Sequence, residues 1–160
     1  MATGLILPET LLVLDNDSLT HWRNKQAYIE KEISSYITRH KQPPSLTAIT
    51  IFEALYGVEA SLVKISISDE EAKRYIDRMG KLMEACVILP FDQNAAAIAA
   101  YVFPRLSRAD RNTHWKDVLV AATALANGHG IATQNKRDFE LIAGCLPPNY
   151  PLLRLAIWKP

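Results

Sequence analysis

Short apolar runs alternate along the chain with longer segments in which apolar residues recur every three or four positions, the pattern of buried strands between amphipathic helices. Leu11 to Leu14 is such a run, stopped by Asp15-Asn16-Asp17-Ser18, and it reads as a buried strand followed by a turn. From Ser18 to about His40, Trp22, Ile29, Ile33, Tyr36 and Ile37 recur at helical spacing, predicting one amphipathic surface helix ended by Lys41 to Pro44. Leu46 to Ile49 reads as a second strand, and Thr50-Ile51-Phe52-Glu53 matches a capping box opening a helix to about Leu62. Ser68-Asp69-Glu70-Glu71 opens another, with Ala72, Tyr75, Ile76, Met79, Leu82 and Cys86 turned inward. Val87 to Phe91 is a third strand, and Asp92 caps an Ala-rich helix that Pro104 ends or kinks. Arg105 to Trp115 reads as irregular, and Asp117 to Asn127 as an apolar helix. Gly128-His129-Gly130 then precedes a strand at Ile131 to Gln134, a short helix at Asn135 to Ile142 and an edge strand at Leu152 to Trp158.

Strands alternating with helices predict a parallel sheet covered on both faces, and neither a linker nor a repeat divides the chain, so residues 1–160 are expected to form one α/β domain. A length of 160 residues with 49% apolar and 22% charged residues fits a globular enzyme-sized domain and excludes disorder. No apolar run is long enough to span a bilayer. Eighteen basic against seventeen acidic residues give +1, so any polyanion site must be a local patch. Cys86 and Cys145 form no ligand-spaced pair, which indicates neither a disulfide framework nor a zinc site. The opening MATGLILPET lacks the basic and long apolar segments of a signal peptide, so a cytoplasmic location is expected.

In a parallel α/β sheet, strand C-termini and helix N-termini share one rim, where ligands bind. Asp15 ends the first strand, Glu53 falls in the first turn after the second, and Asp117 and Asp138 open the helices on either side of the fourth; all four converge there. Helix-terminal carboxylates are favoured by free N–H groups and the helix dipole, which suffices singly for Glu53 and Asp138. A carboxylate closing a buried apolar strand is costly unless paired or metal-bound, so Asp15 resists that explanation. Several carboxylates gathered without a basic neighbour repel one another, and a hard divalent cation is the simplest remedy. Oxygen ligation selects Mg²⁺ or Mn²⁺, ions that support phosphodiester hydrolysis.

The residues also carry a family resemblance. Leu12 to Leu19 (LVLDNDSL) resembles the opening Asp motif of PIN domains, and Ile49 to Gly57 (ITIFEALYG) resembles their Glu-Leu-x-x-Gly helix. Asp117 to Ala126 (DVLVAATALA) resembles their third acidic segment, and Thr133 to Phe139 (TQNKRDF) their Thr-x-Asn-x-x-Asp-Phe stretch. Together the motifs look most like the VapC-type toxins of bacterial toxin–antitoxin pairs. The resemblance implies a PIN-like three-layer α/β/α sandwich with a mostly parallel four- to five-stranded sheet. It further implies an RNA endonuclease leaving 5′-phosphate ends, with Asp15, Glu53, Asp117 and Asp138 as catalytic and metal-holding residues around Mg²⁺ or Mn²⁺. A homodimer held inactive by a VapB-type antitoxin is implied as well.

Thr133 and Asn135 would support that site, and Asp17 stands where the family places an amide. By strand periodicity Asp17 would share a side with Asp15, so it reads either as an added ligand or as a substitute for that amide. Lys116 reads either as a phosphate contact or as a solvated lysine; Arg23, Lys25 and Lys31 read as a solvated face. His21, His40, His114 and His129 are scattered, and Ser18 reads as a helix cap. Trp22, Tyr36 and Ile37 would supply an apolar patch for a dimer or antitoxin. The alternatives are a haloacid-dehalogenase-like phosphatase using Asp15-x-Asp17, and a non-catalytic RNA-binding PIN-fold protein, whose signature would be a degraded acidic set.

Overall fold

A computed structural model describes Thr3, Gly4 and residues 6–160; Met1, Ala2 and Leu5 of the N-terminal segment lie outside the described residues. The elements in chain order are β1 (Thr3–Gly4), β2 (Leu12–Leu14), α1 (Asn16–Arg23), α2 (Ala27–His40), β3 (Leu46–Thr47) and α3 (Ala48–Val63). There follow α4 (Asp69–Ala85), β4 (Ile88–Leu89), α5 (Gln93–Val102), a 3₁₀ turn at Phe103–Arg105, α6 (Arg108–Ala126), β5 (Gly130–Thr133), α7 (Lys136–Ala143) and β6 (Leu153–Ile157).

Four strands form a parallel sheet in the order β1-β6-β5-β2. The parallel pair β3-β4 continues this surface beyond β2, because Ser45 bridges Val13: its N–H donates to the Leu12 carbonyl at 2.8 Å, and Leu14 N–H donates to the Ser45 carbonyl at 3.0 Å. Strand alternation sorts side chains into two cores. Val13, Ile131 and Leu153 pack with Ile98, Val118 and Phe139 from α5, α6 and α7. Leu12, Leu14 and Ala132 pack on the other side with Leu19, Ile29 and Met79 from α1, α2 and α4. The expected α/β/α layering is therefore present.

Some boundaries depart from the sequence-based expectations, and two of them move site residues. The single helix expected from Ser18 to His40 is two. Lys25 takes a left-handed φ of 54°, its N–H donates to Trp22 O, and Gln26 N–H donates to His21 O. This is a Schellman ending with Lys where Gly is usual, so no glycine marks it. α3 starts earlier than expected because Thr47, not Thr50, is the cap: its hydroxyl accepts from Thr50 N–H at 3.0 Å, which puts Glu53 in the second turn. α6 begins at Arg108, since Ser107 Oγ accepts from Asp110 N–H at 3.1 Å and donates to the Asp110 carboxylate at 2.6 Å. Asp117 consequently sits mid-helix. β6 is an inner strand, covered by β1 on its outer side.

Other expectations hold in detail. Ser68 and Glu71 make the reciprocal capping box of α4, and Asp92 caps α5 through Ala95 N–H at 2.9 Å. Ile76, expected inward, is exposed, as is Ile37. Tyr36 belongs to the core, its hydroxyl accepting from Leu12 N–H at 3.0 Å, and so is no part of a docking patch, while Trp22 is half-buried against that core. The exposed large apolar side chains of α3 are Phe52, Tyr56 and Val63, with Phe52 and Tyr56 stacked at 5.8 Å between ring centroids.

Candidate active site

Asp15 leaves the end of β2 and caps α1, a role the sequence reading gave to Ser18. One carboxylate oxygen accepts from Ser18 N–H at 2.8 Å and the other from the Thr133 hydroxyl at the end of β5. Thr133 Oγ1 in turn accepts from Asn135 N–H at 2.9 Å, and Ser18 Oγ donates to the Ala132 carbonyl at 3.1 Å. These bonds join the β2–α1 and β5–α7 corners into one rim. Asp15 is only 5% exposed, and burial pushes its carboxyl above the usual carboxylate range despite the donors that favour the charged form.

Glu53 reaches the same rim from α3, and its Oε2 lies 3.0 Å from Lys116 Nζ of α6. Asp117, in the middle of α6, has its carboxyl pushed up to about 6 by burial and then by the negative charges of Glu53, Asp15 and Asp138. Asp138 enters from the first turn of α7, where it accepts from the Asn135 side-chain amide. Thus the four acidic residues expected at one edge do interact electrostatically, although only Asp15 and Asp138 arrive from the element ends expected of them.

Two basic side chains enter the cluster. His114 lies one helical turn before Asp117, with Nδ1 3.5 Å from the Asp117 carboxylate and 3.4 Å from that of Asp138. One donor atom each from His114, Asp117 and Asp138 lie within 4.8 Å of one another. Lys116, expected either solvated or facing phosphate, is paired with Glu53. The premise that the cluster lacks basic neighbours is corrected accordingly. The missed signal was the cap Ser107-Arg108-Ala109-Asp110: a helix starting there places His114 and Asp117 at i and i+3 on one face.

Asp17 lies in the first turn of α1, exposed, and adds its charge to the environment of Asp15. The strand periodicity that would have aligned it with Asp15 ends at Asn16, where the helix begins. Arg23 is likewise more than a solvated charge, because its guanidinium stacks 3.8 Å from the Tyr75 ring centroid.

The sequence profile of the family described as the PIN domain matches residues 19–144, most of the chain. The chain belongs to the PIN domain family. No curated protein matches it. Among solved structures it is similar to VapBC2 from Rickettsia felis bound to a promoter DNA fragment, with a TM-score of 0.67 and 15% identity over 93% of this chain and 99% of that one. DNA-bound VapBC from Salmonella typhimurium gives 0.64 and 21% over 94% and 99%, and FitAcB from Neisseria gonorrhoeae 0.61 and 20% over 93% and 99%. At these identities the likeness establishes the fold. The profile match begins just after Asp15, so the case for that residue rests on its burial and its bonds at the rim of this PIN domain.

Proposed function

We propose that this PIN-domain chain is a divalent-metal-dependent endoribonuclease and the toxin of a toxin–antitoxin pair. The observation that carries the reading is the gathering of acids at one rim: Asp117 and Asp138 have donor atoms within 4.8 Å of each other, and the charges of Glu53 and buried Asp15 act on Asp117. Four carboxylates around one half-buried recess favour a cation, and a donor set richer in carboxylate oxygen than in nitrogen suits a hard one, with the His114 imidazole between Asp117 and Asp138. Asp15, Glu53, Asp117 and Asp138 would hold Mg²⁺ or Mn²⁺, an ion that, when bound, supplies charge stabilisation and an activated water for phosphodiester hydrolysis.

The protein's own residues orient that set. Thr133 and the α1 N-terminus fix both oxygens of Asp15, and the Asn135 amide fixes Asp138. His114 Nδ1 lies between the Asp117 and Asp138 carboxylates, and Lys116 Nζ pairs with Glu53. Asp17 carries none of these contacts, and we read it as the surface counterpart of the family's amide.

Toxin–antitoxin complexes among the similar folds support a protein partner, which we read as a VapB-type antitoxin acting on a homodimer in the cytoplasm. Among the described residues no helix is long and apolar enough to cross a membrane. The phosphatase alternative needs a phosphate-binding Lys and a later acidic pair after a strand, and the β5–α7 segment offers Asn135 and a single acid in its first turn, Asp138, which disfavours it. The acidic set is complete, which disfavours the non-catalytic alternative. Incubating the protein with total RNA in Mn²⁺ and in EDTA, and mapping the ends, tests the proposal. Metal-dependent cuts lost in Asp117→Asn are expected; undegraded RNA in Mn²⁺, or cutting that persists in EDTA, overturns it.

A further inference from the structure

The N-terminal half of α6, before the acidic cluster, carries an open groove of about 650 Å³ lined by Phe103, Arg108, Arg111, Asn112 and Trp115. Arg108, Arg111 and Trp115 lie at helical spacing on one face, and Trp115 is 39% exposed, unusual for so large an apolar ring. Among the described residues neither guanidinium has an ion-pair or hydrogen-bond partner, whereas the acid between them, Asp110, is tied to the Ser107 cap. The acidic site begins one residue further along the helix, on the neighbouring face: Lys116 Nζ lies 5.9 Å from the Trp115 ring centroid and 3.0 Å from Glu53 Oε2. Uncommitted positive charge beside an exposed aromatic, on the helix that also carries part of a carboxylate cluster, is the chemistry of a track for a single nucleic-acid strand. Arginines take phosphates and the ring stacks an unpaired base.

We infer that this face of α6 is a substrate-binding track, in which Arg108 and Arg111 hold phosphates of a single-stranded RNA and Trp115 stacks one base beside the acidic site. That the strand is RNA rests on the nuclease reading; the track itself rests on the charge and exposure of the groove. A duplex, whose bases are already stacked, engages only the arginines.

The test is fluorescence anisotropy with a labelled short single-stranded oligoribonucleotide of mixed sequence, in EDTA so that no cleavage occurs. Arg108→Gln/Arg111→Gln is expected to weaken binding by about tenfold or more and to make the slope of log K against log salt shallower by about 1.4, the value for two lost phosphate contacts on a single strand. Trp115→Ala is expected to weaken binding about tenfold with the slope unchanged, and Trp115→Phe to restore most of it, a rescue that separates stacking from misfolding. Affinity and slope equal to wild type in the arginine variant overturn the track even if the protein cleaves RNA. Light scattering that shows a wild-type dimer broken by these substitutions also overturns it, assigning the face to protein contact. Binding that follows the expected pattern in a protein that never cuts RNA upholds the track and refutes only the nuclease.

Discussion

Removing the charge of Asp117 should make the metal-free protein more stable. Burial and the charges of Glu53, Asp15 and Asp138 raise its carboxyl from 3.8 to about 6. Two pKa units correspond to about 3 kcal/mol, and because the side chain is 32% exposed, solvent screening reduces this to about 1–2 kcal/mol. The sign follows from proton linkage: the folded state binds the Asp117 proton more tightly than the unfolded chain, so stability is lost as pH rises from 3.8 to about 6 and stays lost above it. Asp117→Asn is neutral throughout and escapes that loss. Urea midpoints of the two proteins in EDTA should nearly coincide near the acid end of the folded range and diverge by neutral pH, with the variant melting about 2–8 °C higher. Mn²⁺ should then reverse the order, raising the melting temperature of the wild type and leaving the variant nearly unmoved. A variant equal to or less stable than wild type at pH 7, or a difference that ignores pH, would refute the repelling-cluster argument.

Asp138→Asn should lose most single-turnover cleavage at saturating Mn²⁺ while Asp17→Asn keeps most of it; the reverse ranking would make Asp17 the ligand and Asp138 a cap. Thr133→Val removes the hydroxyl that donates to buried Asp15 and should cost about 1.5–3 kcal/mol at neutral pH, read from urea midpoints, with Thr133→Ser recovering most of the loss. Lys116→Met deletes the cation beside Glu53 and should tighten Mn²⁺ binding in calorimetric titration, since the ion no longer competes with an ammonium; weaker binding would mean that Lys116 positions Glu53 instead. Asp15→Asn should abolish cleavage yet leave a folded protein, because the amide oxygen can still accept from Ser18 N–H and cap α1; unchanged cleavage would remove Asp15 from the site.

The layering and the rim were legible because they depend on periodicity and composition: Leu12 to Leu14, Ile131 and the inward face of α4 pack as a buried strand or amphipathic helix must. What escaped depends on single side chains whose role is set by a partner distant in sequence. Lys25 ends α1 in a left-handed conformation through backbone bonds to His21 and Trp22 that no composition rule marks, and the long expected helix followed from that. Thr47 and Thr50 are equally good caps on paper; Thr47 is the cap because β3 ends there beside β4, and Thr50 instead donates to Leu14 O at 3.3 Å.

The same reasoning explains why the acidic residues were found while their basic companions were not. A carboxylate after a buried strand is anomalous by itself, whereas a histidine or lysine in a polar stretch becomes informative only once the helix containing it is placed. Ser107 and Asp110 extend α6 back over His114 and Lys116, and the buried Val118, Ala121 and Ala122 set the rotation that brings His114 onto Asp117 and Asp138 and Lys116 onto Glu53. It also turns Arg108, Arg111 and Trp115 to a separate face. The early start of α6 and its buried face together set both the basic neighbours of the acidic recess and the surface beside it. Shifting that phase by one residue would rotate every side chain of α6 by about 100° and take Asp117 out of the recess.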